Sequence, residues 1–281
     1  MPGDAARDFL LEIGSEELPW GAVQDGREQL RANLAALLER ERLSWDGMEV
    51  YSTPRRLAVL MRGLAGRQAD VETEVRGPSR SAAFDGEGRP TAAAEGFARS
   101  RGVRVEDLQV RETGKGEFVF AVVREEGRPT REILPGLAEE LVRSFSFRKS
   151  MRWGTGEFRF ARPVRWLLAL YGEEVVPLAA AGLQAGRMTR GHRFLCGGEV
   201  EIRRPDEYLE ALRRSCVLAD EAERRRAIED GVGEALAGKG MRAVPSEDTL
   251  DEVVDLVEYP HVLLGGFDEG FLGLPREVLV T

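Results

Sequence analysis

The sequence has no apolar run near the roughly 20 residues that a membrane-spanning helix needs. Its opening, Met-Pro-Gly-Asp-Ala-Ala-Arg-Asp, holds no apolar core of a secretory signal. Cysteine and histidine are scarce, with 2 of each in 281 residues. Cys196 and Cys216 are too few for a disulfide framework, and nothing else points to an oxidising compartment, so a cytoplasmic protein is expected. Only His192 and Cys196 lie close together, whereas a structural zinc site takes four ligands, usually as two such pairs. No Gly-x-Ser-x-Gly elbow is present. Gly114-Lys-Gly116 and Gly238-Lys-Gly240 complete neither a phosphate-cradling loop nor a dinucleotide fingerprint, and both read as turns. Lysine is nearly missing too: 3 of the 40 basic residues are Lys (Lys115, Lys149, Lys239), leaving 37 Arg.

What is present is the composition of a globular chain, 42% apolar and 32% charged. The net charge of −9 argues against a general nucleic-acid coat. Arginine nevertheless presents a rigid fork that grips phosphate wherever it clusters, so the distribution of charge matters more than its sum.

Hydrophobic periodicity predicts a β-α-β-β opening: a strand over Phe9–Ile13, a helix over about 22–43, and strands over Met48–Tyr51 and Leu57–Met61. The polar stretch from about 64 to 90 reads as a long loop. A helix over Thr91–Arg101 ending at Gly102, a hairpin of Asp107–Glu112 with Glu117–Arg124, and a helix over about 130–145 capped by Thr130 follow. The continuous apolar run Val164–Tyr171 fits a buried strand, and Val175–Pro177, Gly191–Leu195 and His261–Leu264 are further strand candidates. Helices are expected at Tyr208–Leu212, at Asp220–Leu236 with a capping box, and around Leu250–Val257. This is an α+β (mixed α/β) pattern. The short basic and aromatic segment Ser146–Gly156 marks an expected boundary between two domains, 1–147 and 148–281. The ending Pro275-Arg-Glu-Val-Leu-Val280 reads as the start of an element, so the sequence is expected to be part of a longer one.

Three basic stretches stand outside the obvious core positions. They are Thr53-Pro-Arg-Arg56; Phe147–Trp166, where Arg148, Lys149 and Arg152 sit among Phe and Trp; and Gly186–Phe194, which carries Arg190, His192 and Arg193. Arginine beside an exposed aromatic ring can hold phosphate and stack on an unpaired base. The bland alternative is that the aromatic residues are core and the arginines solvate the other strand face. Arg55, Arg56, Arg148, Lys149, Arg152, Arg190, His192 and Arg193 are the candidate RNA contacts.

Several strings resemble, in order, the β subunit of the two-subunit bacterial glycyl-tRNA synthetase. Among them are Phe9-Leu-Leu-Glu-Ile-Gly-Ser-Glu-Glu-Leu-Pro19, Thr53-Pro-Arg-Arg-Leu-Ala-Val-Leu60, Lys149-Ser-Met-Arg-Trp-Gly154, Thr189-Arg-Gly-His-Arg-Phe194 and Leu256-Val-Glu-Tyr-Pro260. The resemblance implies a chain that continues into an HD-like domain and an anticodon-binding domain. It implies tRNA-Gly and the synthetase α subunit as partners, in a heterotetramer of two α and two β subunits. ATP and Mg²⁺ then belong to the α subunit, with no cofactor in this chain. The region after about residue 148 is similar to the B3/B4 module of phenylalanyl-tRNA synthetase β chains.

The residues agree that adenylate chemistry lies elsewhere. Phe147-Arg-Lys-Ser-Met151 has no His-x-Gly-His element upstream, and no class II signature with an ATP-clamping Arg is recognisable. The expected function is therefore a non-catalytic part of glycine–tRNA ligase, contributing tRNA binding and subunit assembly, with no catalytic residue and no metal site. The alternatives are an editing hydrolase of the B3/B4 type, vestigial or active, and a scaffold without RNA contact. Editing serves enzymes that must reject a smaller competitor, where a missing methylene supplies only about 1–3 kcal/mol. Glycine is the smallest amino acid, and every competitor can be refused by steric clash.

Overall fold

A computed structural model describes residues 5–154, 156–244 and 246–279. Met1–Asp4 of the opening, Thr155 of the expected boundary, and Val280 and Thr281 at the chain end lie outside the described residues. The strands are β1 (Arg7–Ser15), β2 (Gly47–Thr53), β3 (Arg56–Leu64), β4 (Val71–Ser79), β5 (Gln109–Thr113), β6 (Gly116–Glu125), β7 (Val164–Tyr171), β8 (Glu174–Val175), β9 (Ala179–Ala180), β10 (Leu183–Gln184), β11 (Met188–Arg190) and β12 (Glu199–Glu201). The helices are α1 (Trp20–Arg40), α2 (Arg80–Ala83), α3 (Ala92–Arg101), α4 (Thr130–Ser144), α5 (Tyr208–Arg214), α6 (Glu221–Leu236), α7 (Glu247–Leu256) and α8 (Arg276–Leu279). The fold is mixed α/β with antiparallel sheets. Among the described residues no helix is long and apolar enough to cross a membrane.

The chain divides into two compact units. One runs to Gly66 and resumes at Thr130, and the other is Arg67–Pro129. The expected division at 147/148 does not match this. A cut there would separate β1 from β7, which pair antiparallel from Phe9↔Tyr171 to Ser15↔Val164. The segment that looked like a linker is fastened in place instead. Gln29 exchanges two hydrogen bonds of 2.8 Å with the backbone of Ser146. Phe147 and Phe160 meet edge to face in the core at 4.8 Å.

The larger unit is built on a five-stranded antiparallel sheet in the order β2-β3-β1-β7-β8. Strand β1 is central and apolar on both faces because both are covered. Phe9, Leu11 and Ile13 pack with Leu30, Leu34 and Leu37 of α1 and Leu134, Leu137 and Leu141 of α4. Leu10, with Ala58, Leu168 and Leu170, packs on Tyr208, Leu212 and Val217. Period-two alternation therefore places Glu12 and Gly14 on the α5 side of the sheet. Helix α6 opens at the expected N-cap, with Asp220 accepting from the backbone of Ala222 and Glu223, while the Glu223 carboxylate of the expected capping box accepts from Arg213. At the α4 start the Thr130 hydroxyl donates to the Ala65 carbonyl.

The smaller unit is a three-stranded antiparallel sheet, β4-β6-β5, with α3 against it. The hairpin and α3 form as expected, and Gly102 ends α3 with φ +68°. The predicted loop over 64–90 contains β4. That strand was missed because none of its residues is fully buried and most are polar, leaving no clear apolar alternation to read. Two other strand expectations are corrected. Gly191–Leu195 is a loop following β11, and His261–Leu264 forms no strand, with Leu263 81% exposed.

The insertion of Arg67–Pro129 is closed at its root, where Thr130 N donates to Gly66 O at 2.9 Å. Replacing 67–129 with a two-residue turn is expected to leave the larger unit folded, since its ends already meet. A single cooperative thermal transition within a few degrees of the parent is the expected result, and loss of a cooperative transition would contradict it.

Candidate nucleic-acid interface

Four neighbouring strands bring Thr53, Arg56, Gly14 and Trp166 into one row. Thr53 is opposite Arg56, Arg56 opposite Gly14, and Gly14 opposite Trp166. Because Gly14 has no side chain, Trp166 can lie across its backbone toward Arg56, whose guanidinium carbon is 5.6 Å from the indole ring. Arg55 and Arg190 approach the same ring at 5.6 and 5.3 Å. Three arginines thus share one indole, a favourable cation–π arrangement in a desolvated site.

Beneath this cluster runs a buried ionic network. Glu12, fully buried, accepts hydrogen bonds from the Trp166 indole, from the Tyr208 hydroxyl and, at 2.6 Å, from Thr189. Arg56, also fully buried, donates to Glu258 from Nε at 3.2 Å and Nη2 at 3.1 Å. It also donates to the Arg190 carbonyl at 2.8 Å and to Thr189 at 3.3 Å. The Thr53 hydroxyl donates to Glu258 at 2.7 Å. Burial works against the Arg56 charge, but Glu258 and then Glu12 outweigh it, and its pKa is held above the usual value. Burial, then the Glu12 carboxylate, pushes the Tyr208 hydroxyl well above its ordinary pKa. The chain after α7 carries Glu258 into this network. Arg224 donates to Val254 O at 2.8 Å, Arg27 reaches Asp255 at 3.3 Å, and Leu218 N donates to Glu258 O at 2.8 Å.

Arg56 is accordingly corrected as an RNA contact, because no part of it reaches the surface and the fold uses its donors. Arg55, next to it, is different. It is 6% exposed, and it lines two clefts, of about 180 and about 360 Å³. The larger cleft is lined by Arg55, Arg165, Arg190 and Arg193 against Glu16 and Glu199, a local charge of +2 on a chain of −9. The smaller is shared by Arg55, His192 and Arg193 with Phe194, Glu17 and Glu258. Burial lowers the Arg55 pKa, opposed by Glu258 and reinforced by Arg193 and Arg56. Arg193 donates to Glu16 and, at 3.2 Å, to Glu17, and its hydrogen bond holds the Glu16 carboxyl below the usual carboxylate range.

Of the eight candidate contacts, Arg55, Arg190, His192 and Arg193 come together. Arg148, Lys149 and Arg152 are exposed but line neither cleft, and Arg152 is 3.5 Å from Glu157. The aromatic residues beside them are core: Phe147, Phe160 and Trp166 are buried, and Trp153 and Phe158 pack against that core. Cys196 is joined to Cys216, 5.9 Å away between Cα atoms, as a disulfide and not to His192 as a ligand pair. Arg165 and Glu16 were missed as site residues. The signal for Arg165 was strand parity, which points it away from buried Val164 and Trp166.

A family model described as glycyl-tRNA synthetase beta subunit matches residues 9–281. The chain belongs to that family. It is 49% identical over 275 residues to the glycine–tRNA ligase beta subunit of Halalkalibacterium halodurans. Over 276 residues it is 46% identical to that of Desulforamulus reducens and 45% to that of Moorella thermoacetica. Each alignment covers 98% of this chain and 39–40% of the relative, so the chain spans about two-fifths of the length of the curated relatives it matches.

Proposed function

We propose that this chain is a non-catalytic part of glycine–tRNA ligase that contributes tRNA binding and subunit assembly to glycyl-tRNA synthesis. Its partners in this reading are tRNA-Gly and the synthetase α subunit, in a heterotetramer, and the α subunit holds ATP and Mg²⁺. The observation that carries it is the arginine-lined cleft: four guanidinium groups against two carboxylates, on a chain whose total charge is negative. Such a patch attracts phosphate locally while the rest of the surface repels it, which favours a docked RNA over indiscriminate coating. A likeness to the B3/B4 module after residue 148 is part of this reading, and it serves these contacts and not editing, since an enzyme for the smallest amino acid has little to edit.

Each phosphate contact to a single strand adds a slope of about 0.7 in log affinity against log salt. Three contacts should weaken tRNA binding about tenfold to twentyfold between 50 and 200 mM salt. Binding that ignores salt, or glycine-dependent pyrophosphate exchange catalysed by this chain alone, contradicts the proposal.

A further inference from the structure

Arg55 lines the smaller cleft, and two nitrogens of its guanidinium, Nε and Nη1, are buried with no hydrogen-bond acceptor among the described residues. Nη1 pairs only loosely with Glu258 Oε2, at 3.8 Å, while Arg56 and Thr53 donate to Oε1 of the same carboxylate. A buried cationic donor left in this state gains from an anionic oxygen brought against it. The cleft, about 180 Å³, falls below the roughly 300–1,000 Å³ of sites that enclose a small molecule. It suits one charged group with the remainder of its ligand outside.

On the rim stands Phe194, 82% exposed. Its position is ordered by chemistry, not by packing. His192 Nδ1 accepts from the backbone N–H of Phe194 and of Leu195, each at 3.2 Å, and His192 N donates to Ser215 O at 2.9 Å. The two rings, His192 and Phe194, have centroids 6.2 Å apart. The turn therefore offers an unstacked aromatic face directly beside a phosphate-sized cleft, in which Arg55 and Arg193 stand against Glu17 and Glu258.

We propose that this cleft binds one unpaired nucleotide of an RNA strand, its phosphate against Arg55 and Arg193 and its base stacked on Phe194. The inference rests on the RNA-binding role proposed above and narrows it to single-stranded RNA. A base inside a duplex has both faces covered and cannot stack on a side chain, whereas a splayed base can. Glu17, also on the cleft wall, is engaged by Arg193.

The test is fluorescence anisotropy of a short labelled oligoribonucleotide, as a single strand and annealed to its complement, with the parent chain, Phe194→Ala and Phe194→Trp. Removing one stacking ring should weaken single-strand binding about tenfold. The melting temperature should not move, because the ring is exposed, and Trp should restore affinity. The duplex should bind more weakly than the single strand and respond to neither substitution. The proposal is overturned if Phe194→Ala binds like the parent, or if the duplex binds as tightly as the single strand. Should Phe194→Ala be silent while removal of Arg190 and Arg193 still lowers tRNA affinity, the nucleotide site fails and the broader RNA role stands. If the parent binds no RNA, both fail.

Discussion

Arg56→Ala is expected to lower the melting temperature by about 10 °C. One fully buried guanidinium pairs with two buried carboxylates, Glu258 at 3.1 Å and Glu12 at 3.8 Å. Removing one member of such a set strands the others in a low-dielectric interior, which costs about 3–5 kcal/mol. At about 2–4 °C per kcal/mol for a chain of this size, the shift follows. Arg56→Lys should recover only part, because an ammonium keeps the charge but cannot donate to Glu258, Thr189 and the Arg190 carbonyl together. A variant melting within about 2 °C of the parent would mean that the network is not closed as described.

Gly14→Ala is expected to cost about 1–3 kcal/mol, the usual range for overpacking a filled core, and to weaken RNA binding as well. An added methyl group would fall 1.8 Å from Trp166 Cε2 and 2.0 Å from Cδ2, well inside contact distance. The indole cannot simply swing aside. It is buried, it donates to Glu12, and Arg55, Arg56 and Arg190 lie over it. Moving it displaces two of the cleft arginines together with the ring that supports them. Gly136→Ala is the control, on the exposed side of α4 with nothing within 4 Å of the new methyl group. There alanine favours the helix by about 0.5–1 kcal/mol, so stability should rise and RNA affinity stay unchanged. Equal behaviour of the two alanine variants would remove Gly14 from the account.

Strands and helices were legible where apolar period matched burial. Val164–Tyr171 forms as the run predicts, and Asp220 caps α6 as its spacing predicts. The site was legible only as a set of strings. Arg55 and Arg56 are adjacent in one basic run, yet one is wholly buried in an ion network and the other stands at a cleft wall. Nothing local distinguishes them, because the partner that claims Arg56 is Glu258, 202 positions away. The basic and aromatic stretch 147–166 left two readings open, a stacking surface or core aromatic residues with solvating arginines. Packing favours the second, since Phe160 and Trp166 are buried, and parity along β7 leaves Arg165 at the cleft. The domain boundary was misplaced for a related reason. Basic residues at 148–152 resemble a linker, while the backbone of Ser146 and the Phe147 ring hold that stretch to the sheet and α1.

The cleft itself is tested most directly by titrating tRNA against the parent chain and the Arg190→Ala, Arg193→Ala double variant, with the melting temperature of each recorded alongside. Arg193 makes ion pairs at the surface with Glu16 and Glu17, and exposed pairs contribute at most about 1 kcal/mol. The melting temperature should therefore fall by no more than a few degrees, while tRNA affinity should fall at least tenfold, as expected when two charge-assisted phosphate contacts are lost. A lower melting temperature with unchanged affinity would show that these arginines hold strands together and that RNA binds elsewhere or not at all.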